Sequence, residues 1–230
     1  MKKFIYNIIP LMIALIAFNG CKKETTGGFT QVTVYPVVTI EGDKTMFVKQ
    51  GETFTDPGAS ATLDGVDATD QLVIKSTVNT SKPGKYSVGY SMVNADGFAF
   101  EDSRTVYVYD GTASLLASKV YTVAEGSNRN GSPEYSGYPI VVYQVSPGVF
   151  SISDFLGGYY DKRAAYGPDY AAVGTFKLNA DNSLSLLSSS VAGWGDALDA
   201  LDNGAYDPST KVLSFTAAYA GAYNFNVILK

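Results

Sequence analysis

The sequence predicts an all-β protein: two successive β-domains behind an export segment. Three observations lead there. Glycine is frequent, 23 of 230 residues, and recurs in short clusters with Asn, Asp, Ser and Pro that punctuate the chain as turns. Between these clusters the 17 Tyr and 12 Phe mix with Val and Thr, the residue types of pleated, half-buried strands. Beyond residue 20 no segment sustains an apolar residue on a 3.6-residue period, so no long amphipathic helix is expected.

Residues 1–20 stand apart from the fold. Lys2 and Lys3 form a basic start, and residues 4–18 are mostly apolar, with Ile8, Ile9, Leu11, Met12, Ile13, Leu15 and Ile16 in one run. The run is shorter than the roughly 20 residues that span a bilayer comfortably, and it has the form of a signal peptide. Asn19-Gly20-Cys21 follows. This segment resembles the lipobox of bacterial lipoproteins, with Phe18 and Asn19 in place of the usual Leu and Ala or Ser. The resemblance implies cleavage before Cys21, acylation of Cys21 and membrane attachment through that lipid. A retained membrane anchor is the alternative, but the chain's one cysteine falls directly behind the apolar run. Lys22-Lys23-Glu24 resembles the charged export signals of Bacteroidota-type lipoproteins, which are richer in Asp and Glu. That resemblance implies an outer-membrane protein, lipid-anchored and displayed on the cell surface. Residues 21–33, with Thr25-Thr26-Gly27-Gly28, read as the lipidated cysteine and a flexible tether.

Composition closes several classes of chemistry. One cysteine makes no internal disulfide, and without histidine there is no Ser-His-Asp triad, Cys-His pair or His-ligated zinc. No cofactor or metal is expected. The net charge is −5, and removing residues 1–20 takes two lysines with it. A chain this acidic, without basic runs, lacks the cation density that nucleic acid demands.

Residues 34–110 read as the first domain. Val-rich residues 34–40 and residues 46–49 are strands. Asp56-Pro57-Gly58 is strong turn chemistry. Residues 72–75 are strand-like, Ser81-Lys82-Pro83-Gly84 turns, and residues 85–93 form a strand with Tyr86, Val88 and Tyr90 on one face. Asn94-Ala95-Asp96-Gly97 is a hairpin turn, and residues 103–109 complete a small β-sandwich. Residues 51–59, Lys82-Pro83-Gly84-Lys85-Tyr86 and Arg104-Thr105-Val106 resemble the bacterial surface immunoglobulin-like domain, also found in an insecticidal crystal toxin. The resemblance covers about 75 residues. It implies an immunoglobulin-like sandwich and is silent on function, because such domains serve as spacers, adhesion modules or glycan-associated modules. Asp56, Asp64, Asp67, Asp70 and Asp96 do not follow calcium-loop spacing and read as turn carboxylates.

Residues 113–230 hold 11 of the 17 tyrosines and the only tryptophan. Strands are expected at residues 119–123, 140–145, 148–152, 172–178, 184–187, 212–218 and 223–229. Asn128-Arg129-Asn130-Gly131 reads as a turn, residues 194–201 as one or two helical turns, and residues 205–210 as a turn. The expectation is a second antiparallel domain, barrel or sandwich. Ser153-Asp154-Phe155-Leu156-Gly157-Gly158-Tyr159-Tyr160, Tyr166-Gly167, Gly193-Trp194-Gly195 and Tyr206-Asp207-Pro208 resemble a C-terminal domain of unknown function in Bacteroidota surface lipoproteins. That family is loosely linked to polysaccharide-utilisation gene neighbourhoods.

The candidate ligand-binding residues are Tyr159, Tyr160, Tyr166 and Trp194, with Asp154 and Asp161; Tyr170, Asp169 and Asp196 lie nearby in sequence. Flat aromatic faces suit the C–H side of a sugar ring, and carboxylates suit its hydroxyls. The same residues equally suit a β-domain core or a protein contact. The expected role is non-catalytic: glycan capture, or else a spacer or docking module for an outer-membrane protein partner. A glycosidase built on Asp154 and Asp161 is a weaker reading, since Asp beside Gly is more often a turn former.

Overall fold

Short strands and tight turns assemble into two β-sandwiches within one unit, Tyr35–Lys230. The computed structural model describes residues 33–230. The expected signal peptide, Cys21 and the expected tether up to residue 32 lie outside the described residues.

The first sandwich comprises β1 (Val37–Ile40), β2 (Thr45–Lys49), β3 (Ala59–Leu63), β4 (Val66–Asp67), β5 (Val73–Ser76), β6 (Gly84–Val93) and β7 (Ala99–Tyr109). One sheet has the order β1-β3-β4 and the other β2-β7-β6-β5, with β2 parallel to β7. Strand β6 buries Val88, Tyr90 and Met92 at every second position, against Val38, Val48, Ala61 and Val106. This two-residue period is what the sequence displayed. It did not display β3. Ala59-Ser60-Ala61-Thr62-Leu63 is poor in strand formers, yet Ala61 pairs with Val38 and is fully buried. A small side chain there fits the narrow space between the sheets.

A buried arginine ties the two sheets together. Arg104 on β7 has no exposed surface. Its guanidinium donates to the carbonyl oxygens of Glu41, Asp43 and Gly58 and lies 3.2 Å from the Asp56 carboxylate. The Tyr90 hydroxyl donates to the same carboxylate at 2.6 Å.

The second sandwich comprises β8 (Lys119–Thr122), β9 (Asn128–Arg129), β10 (Pro139–Ser146), β11 (Val149–Ile152), β12 (Val173–Leu178), β13 (Leu184–Ser190), β14 (Leu198–Asp207), β15 (Val212–Tyr219) and β16 (Tyr223–Leu229). The sheets are ordered β13-β12-β11-β10-β8 and β14-β15-β16-β9. Between barrel and sandwich, the answer is sandwich: the sheet edges meet through isolated bridges such as Val123↔Leu229 and Ser183↔Ala205, not through continuous ladders. Phe150, Phe155, Phe176, Phe215 and Phe225 fill the space between them.

Two expectations are corrected here. Residues 194–201 form no helix; Leu198 opens the ten-residue strand β14. Its alternation is broken by two register shifts against β15, and Asn203 adopts φ +51° at the second. A bulged strand loses its period in sequence, which is why it reads as helix plus turn. Asn128-Arg129 likewise forms a short strand against β16, not only a turn.

Gly174 on β12 tests the packing. A Cβ there would lie 2.1 Å from the Ser188 carbonyl oxygen and 2.9 Å from the Phe155 ring. Gly174→Ala is expected to cost about 1–3 kcal/mol of stability through overpacking, read as a lower thermal midpoint by circular dichroism.

The two sandwiches touch through Gln144, which is buried. Its backbone carbonyl accepts from the Asp110 N–H at 2.8 Å, and its side-chain amide donates to the Asp110 carboxylate and the Thr112 carbonyl, each at 3.1 Å. The Tyr107 and Tyr143 rings meet across the same junction at 5.1 Å. This contact explains why Tyr107, on the outward side of β7, is nonetheless buried.

Candidate functional site

The segment between β11 and β12 carries most of the candidate residues, and one carboxylate organises it. Asp154 is buried. Its Oδ1 accepts from the backbone N–H groups of Leu156 at 2.8 Å and Ala172 at 2.9 Å, and its Oδ2 from Gly158 at 2.7 Å. The two ends of the segment are thus pinned to one side chain. Gly157 and Gly158 take φ +62° and +78°, and at Gly158 a Cβ would also press on Tyr138 at 2.9 Å. This bend turns the chain into a single wide π-type turn, Tyr159–Arg163.

The bend delivers two tyrosines inward. Tyr159 packs edge-on against Tyr135, Tyr160 and Phe225 at 5.1–5.3 Å. Tyr160 packs edge-on against Trp194 at 4.8 Å and stacks with Tyr166 at 5.9 Å. Tyr159 and Tyr160 are both buried, whereas Trp194 is 42% exposed and Tyr166 56% exposed.

Trp194 is braced from several sides. Tyr170 meets it at 4.7 Å and Tyr219 at 5.9 Å. The Gly193 N–H donates to the Asp169 carbonyl at 2.7 Å, which ties the tryptophan turn to the short 3₁₀ turn Pro168–Tyr170. The Tyr219 hydroxyl donates to the Asp196 carboxylate at 2.7 Å. Burial and that carboxylate push the Tyr219 phenol upward. Tyr223, on β16, adds a third partly exposed ring.

Two arginines join this surface. The Arg129 guanidinium lies 4.7 Å from the Tyr159 ring centre and 4.9 Å from that of Tyr223. The Arg163 guanidinium lies 5.1 Å from the Tyr159 ring centre. These are cation–π distances.

The structure therefore brings Tyr159, Tyr160, Tyr166 and Trp194 together, in two layers. Tyr166 and Trp194 face outward, and Tyr159 and Tyr160 support them. Asp154 does not belong with them as a ligand contact: it lies beneath the surface with its oxygens occupied by three N–H groups. Burial pushes its carboxyl up to about 6, against the pull of those donors. Asp161 pairs with Lys162 at 2.9 Å. The carboxylates of the first domain are engaged separately, Asp56 by Arg104 and Tyr90, and Asp67 by Thr69. Sequence reasoning missed Arg129, Arg163, Tyr219 and Tyr223. Arg129 and Tyr223 come from β9 and β16, and only the pairing of those strands places them beside the 159–170 segment.

The comparisons with known proteins agree with this architecture. A family model for a bacterial surface protein Ig-like domain matches residues 38–108, and one for a C-terminal domain matches residues 110–230. The crystal structure of the lipoprotein BT2262 from Bacteroides thetaiotaomicron superposes with a TM-score of 0.81 at 49% identity, over 85% of this chain and 100% of that one. A structure of CBM51-2 in complex with GlcNAc and INT domains from Clostridium perfringens ZmpB is 21% identical. It covers 51% of this chain and 31% of its own, with a TM-score of 0.28. No curated protein matches the chain. Two domain matches in series and near-half identity along the whole of a solved lipoprotein place this chain in the BT2262 family of Bacteroides lipoproteins, which join a surface immunoglobulin-like domain to a second, C-terminal β-domain.

Proposed function

We propose that this lipoprotein is held by its lipid in the outer membrane, faces the cell exterior and captures glycan without catalysis on the Trp194 face of its second domain. The observation that carries the reading is the braced aromatic surface. An indole and a phenol, 42% and 56% exposed, are held by Tyr160, Tyr170 and Tyr219 beneath and beside them. Rings already fixed by packing lose little freedom when a sugar ring stacks on them, so the stacking energy is realised as affinity. The immunoglobulin-like domain acts as the spacer between lipid and capture surface. A chain without histidine whose most buried acid is bound by three N–H groups supports a binding role over a hydrolytic one.

The test is a polysaccharide array probed with the full chain, its Trp194→Ala variant and its Tyr166→Ala variant. Binding to a defined polysaccharide class is expected, weakened at least tenfold in Trp194→Ala and in the more exposed Tyr166→Ala, with circular dichroism at the assay temperature confirming that each variant is folded. Tyr160→Ala is a poor control, since that ring is buried and its loss empties part of the core. The second reading is a protein partner. It is favoured by the openness of the surface, where large aromatics beside arginine are the residue types of interaction hot spots. Absence of binding across the array, with capture of an outer-membrane protein that depends on Trp194, would select it.

A further inference from the structure

The chain has three arginines. Arg104 is spent inside the first domain, on three carbonyls and Asp56. The other two, Arg129 and Arg163, come from separate parts of the sequence and meet at the ring of Tyr159. Neither has a carboxylate partner among the described residues, where the ion pairs are Lys44–Asp102, Arg104–Asp56 and Lys162–Asp161. The chain is net acidic, so acids to pair with are plentiful. Two guanidinium groups collected without one are a local positive site on a negative protein.

The site adjoins the stacking surface. Arg129 lies against Tyr159 and Tyr223, Tyr159 packs edge-on against Tyr160, and the Tyr160 ring carries Trp194 and Tyr166. A guanidinium stacked on a ring uses its flat face there and keeps edge N–H groups for a planar oxyanion. Arg163 touches Tyr159, over its ring and at 3.5 Å from its hydroxyl, and is exposed.

We infer that the captured glycan is anionic, its carboxylate or sulfate groups held by Arg129 and Arg163 while its sugar rings stack on Trp194 and Tyr166. This rests on the glycan-capture reading. Charge-assisted Arg–oxyanion bonds are about twice as strong as neutral ones.

The test uses affinity electrophoresis of the full chain against matched polymers: polygalacturonate and its methyl-esterified form, dextran sulfate and uncharged dextran, with poly-glutamate as a charged non-sugar. Arg163→Gln and Arg129→Gln are compared with Trp194→Ala. Arg129 is half-buried between two rings, so exposed Arg163 is the primary variant. The expected result is binding to polygalacturonate or to dextran sulfate, at least tenfold weaker for the uncharged counterpart and at least tenfold weaker in Arg163→Gln. Which polymer binds decides between carboxylate and sulfate. Equal binding of charged and uncharged forms, unchanged in Arg163→Gln but lost in Trp194→Ala, overturns the inference and leaves glycan capture standing. Poly-glutamate bound as well as polygalacturonate, with no dependence on Trp194, overturns both; no polymer bound at all overturns the inference, and the array then decides the capture reading.

Discussion

Asp154→Ala is expected to destabilise the second domain by about 3–5 kcal/mol, lowering its thermal midpoint by about 10 °C. The carboxylate is a buried acceptor for three backbone N–H groups, of Leu156, Gly158 and Ala172, in a segment where Leu156 and Ala172 have no exposed surface. Without it all three donors are orphaned away from water. The damage also reaches the candidate site, because the bend at Gly157 and Gly158 positions Tyr159 and Tyr160. Calorimetry and limited proteolysis of residues 154–172 check this; an unchanged midpoint and an uncut segment would mean that other contacts hold it.

The same carboxyl carries a pH signature. Burial raises it from 3.8 to about 6 in the folded chain. A raised carboxyl binds its proton more tightly folded than unfolded, so its contribution to stability is full below pH 4 and is lost as pH rises through about 6. Other carboxylates run the opposite way. Asp207, for instance, is pulled down to about 2 by the hydroxyls of Ser209 and Thr210 and the Ser209 N–H, and its contribution fades as pH falls. Comparison with Asp154→Asn cancels those groups. Relative to that variant, the parent is expected to lose about 3 kcal/mol between pH 4 and pH 7, measured by urea unfolding. A difference independent of pH would contradict the burial effect.

The second large effect belongs to the first domain. Arg104→Ala is expected to cost about 3–5 kcal/mol, and Arg104→Lys somewhat less. The guanidinium joins the carbonyls of Glu41, Asp43 and Gly58 to the Asp56 carboxylate, and Asp56 in turn holds the Tyr90 hydroxyl. Truncation removes the guanidinium donor from the carbonyls of Glu41 and Asp43, leaves Gly58 with only the Glu41 N–H, and leaves a partly buried carboxylate without its cation. Lysine restores the charge but, with one nitrogen, cannot serve every acceptor. Chemical-shift changes confined to the first sandwich are the expected signature, and loss of stability in the second alone would contradict it.

These two residues show where the sequence is legible. The strands of β6, β15 and β16 alternate cleanly and were readable, and the family motifs named both domains. Asp154 was readable as part of a motif but not in its role: nothing local tells an aspartate beside glycines that caps a loop from one that faces a ligand. The bulged strand β14 was unreadable because its register shifts erase the period. Arg129 and Tyr223 were unreadable as site residues because strand pairing alone unites them with Tyr159.

The chain's single tryptophan lies on the proposed capture surface, so its fluorescence tests the central claim directly. Titrating the full chain with the polysaccharide selected by the array is expected to shift Trp194 emission to the blue and to protect it from acrylamide quenching, both saturating with the binding isotherm. Saturable binding that leaves Trp194 emission and quenching unchanged would place the ligand elsewhere and contradict capture on this face.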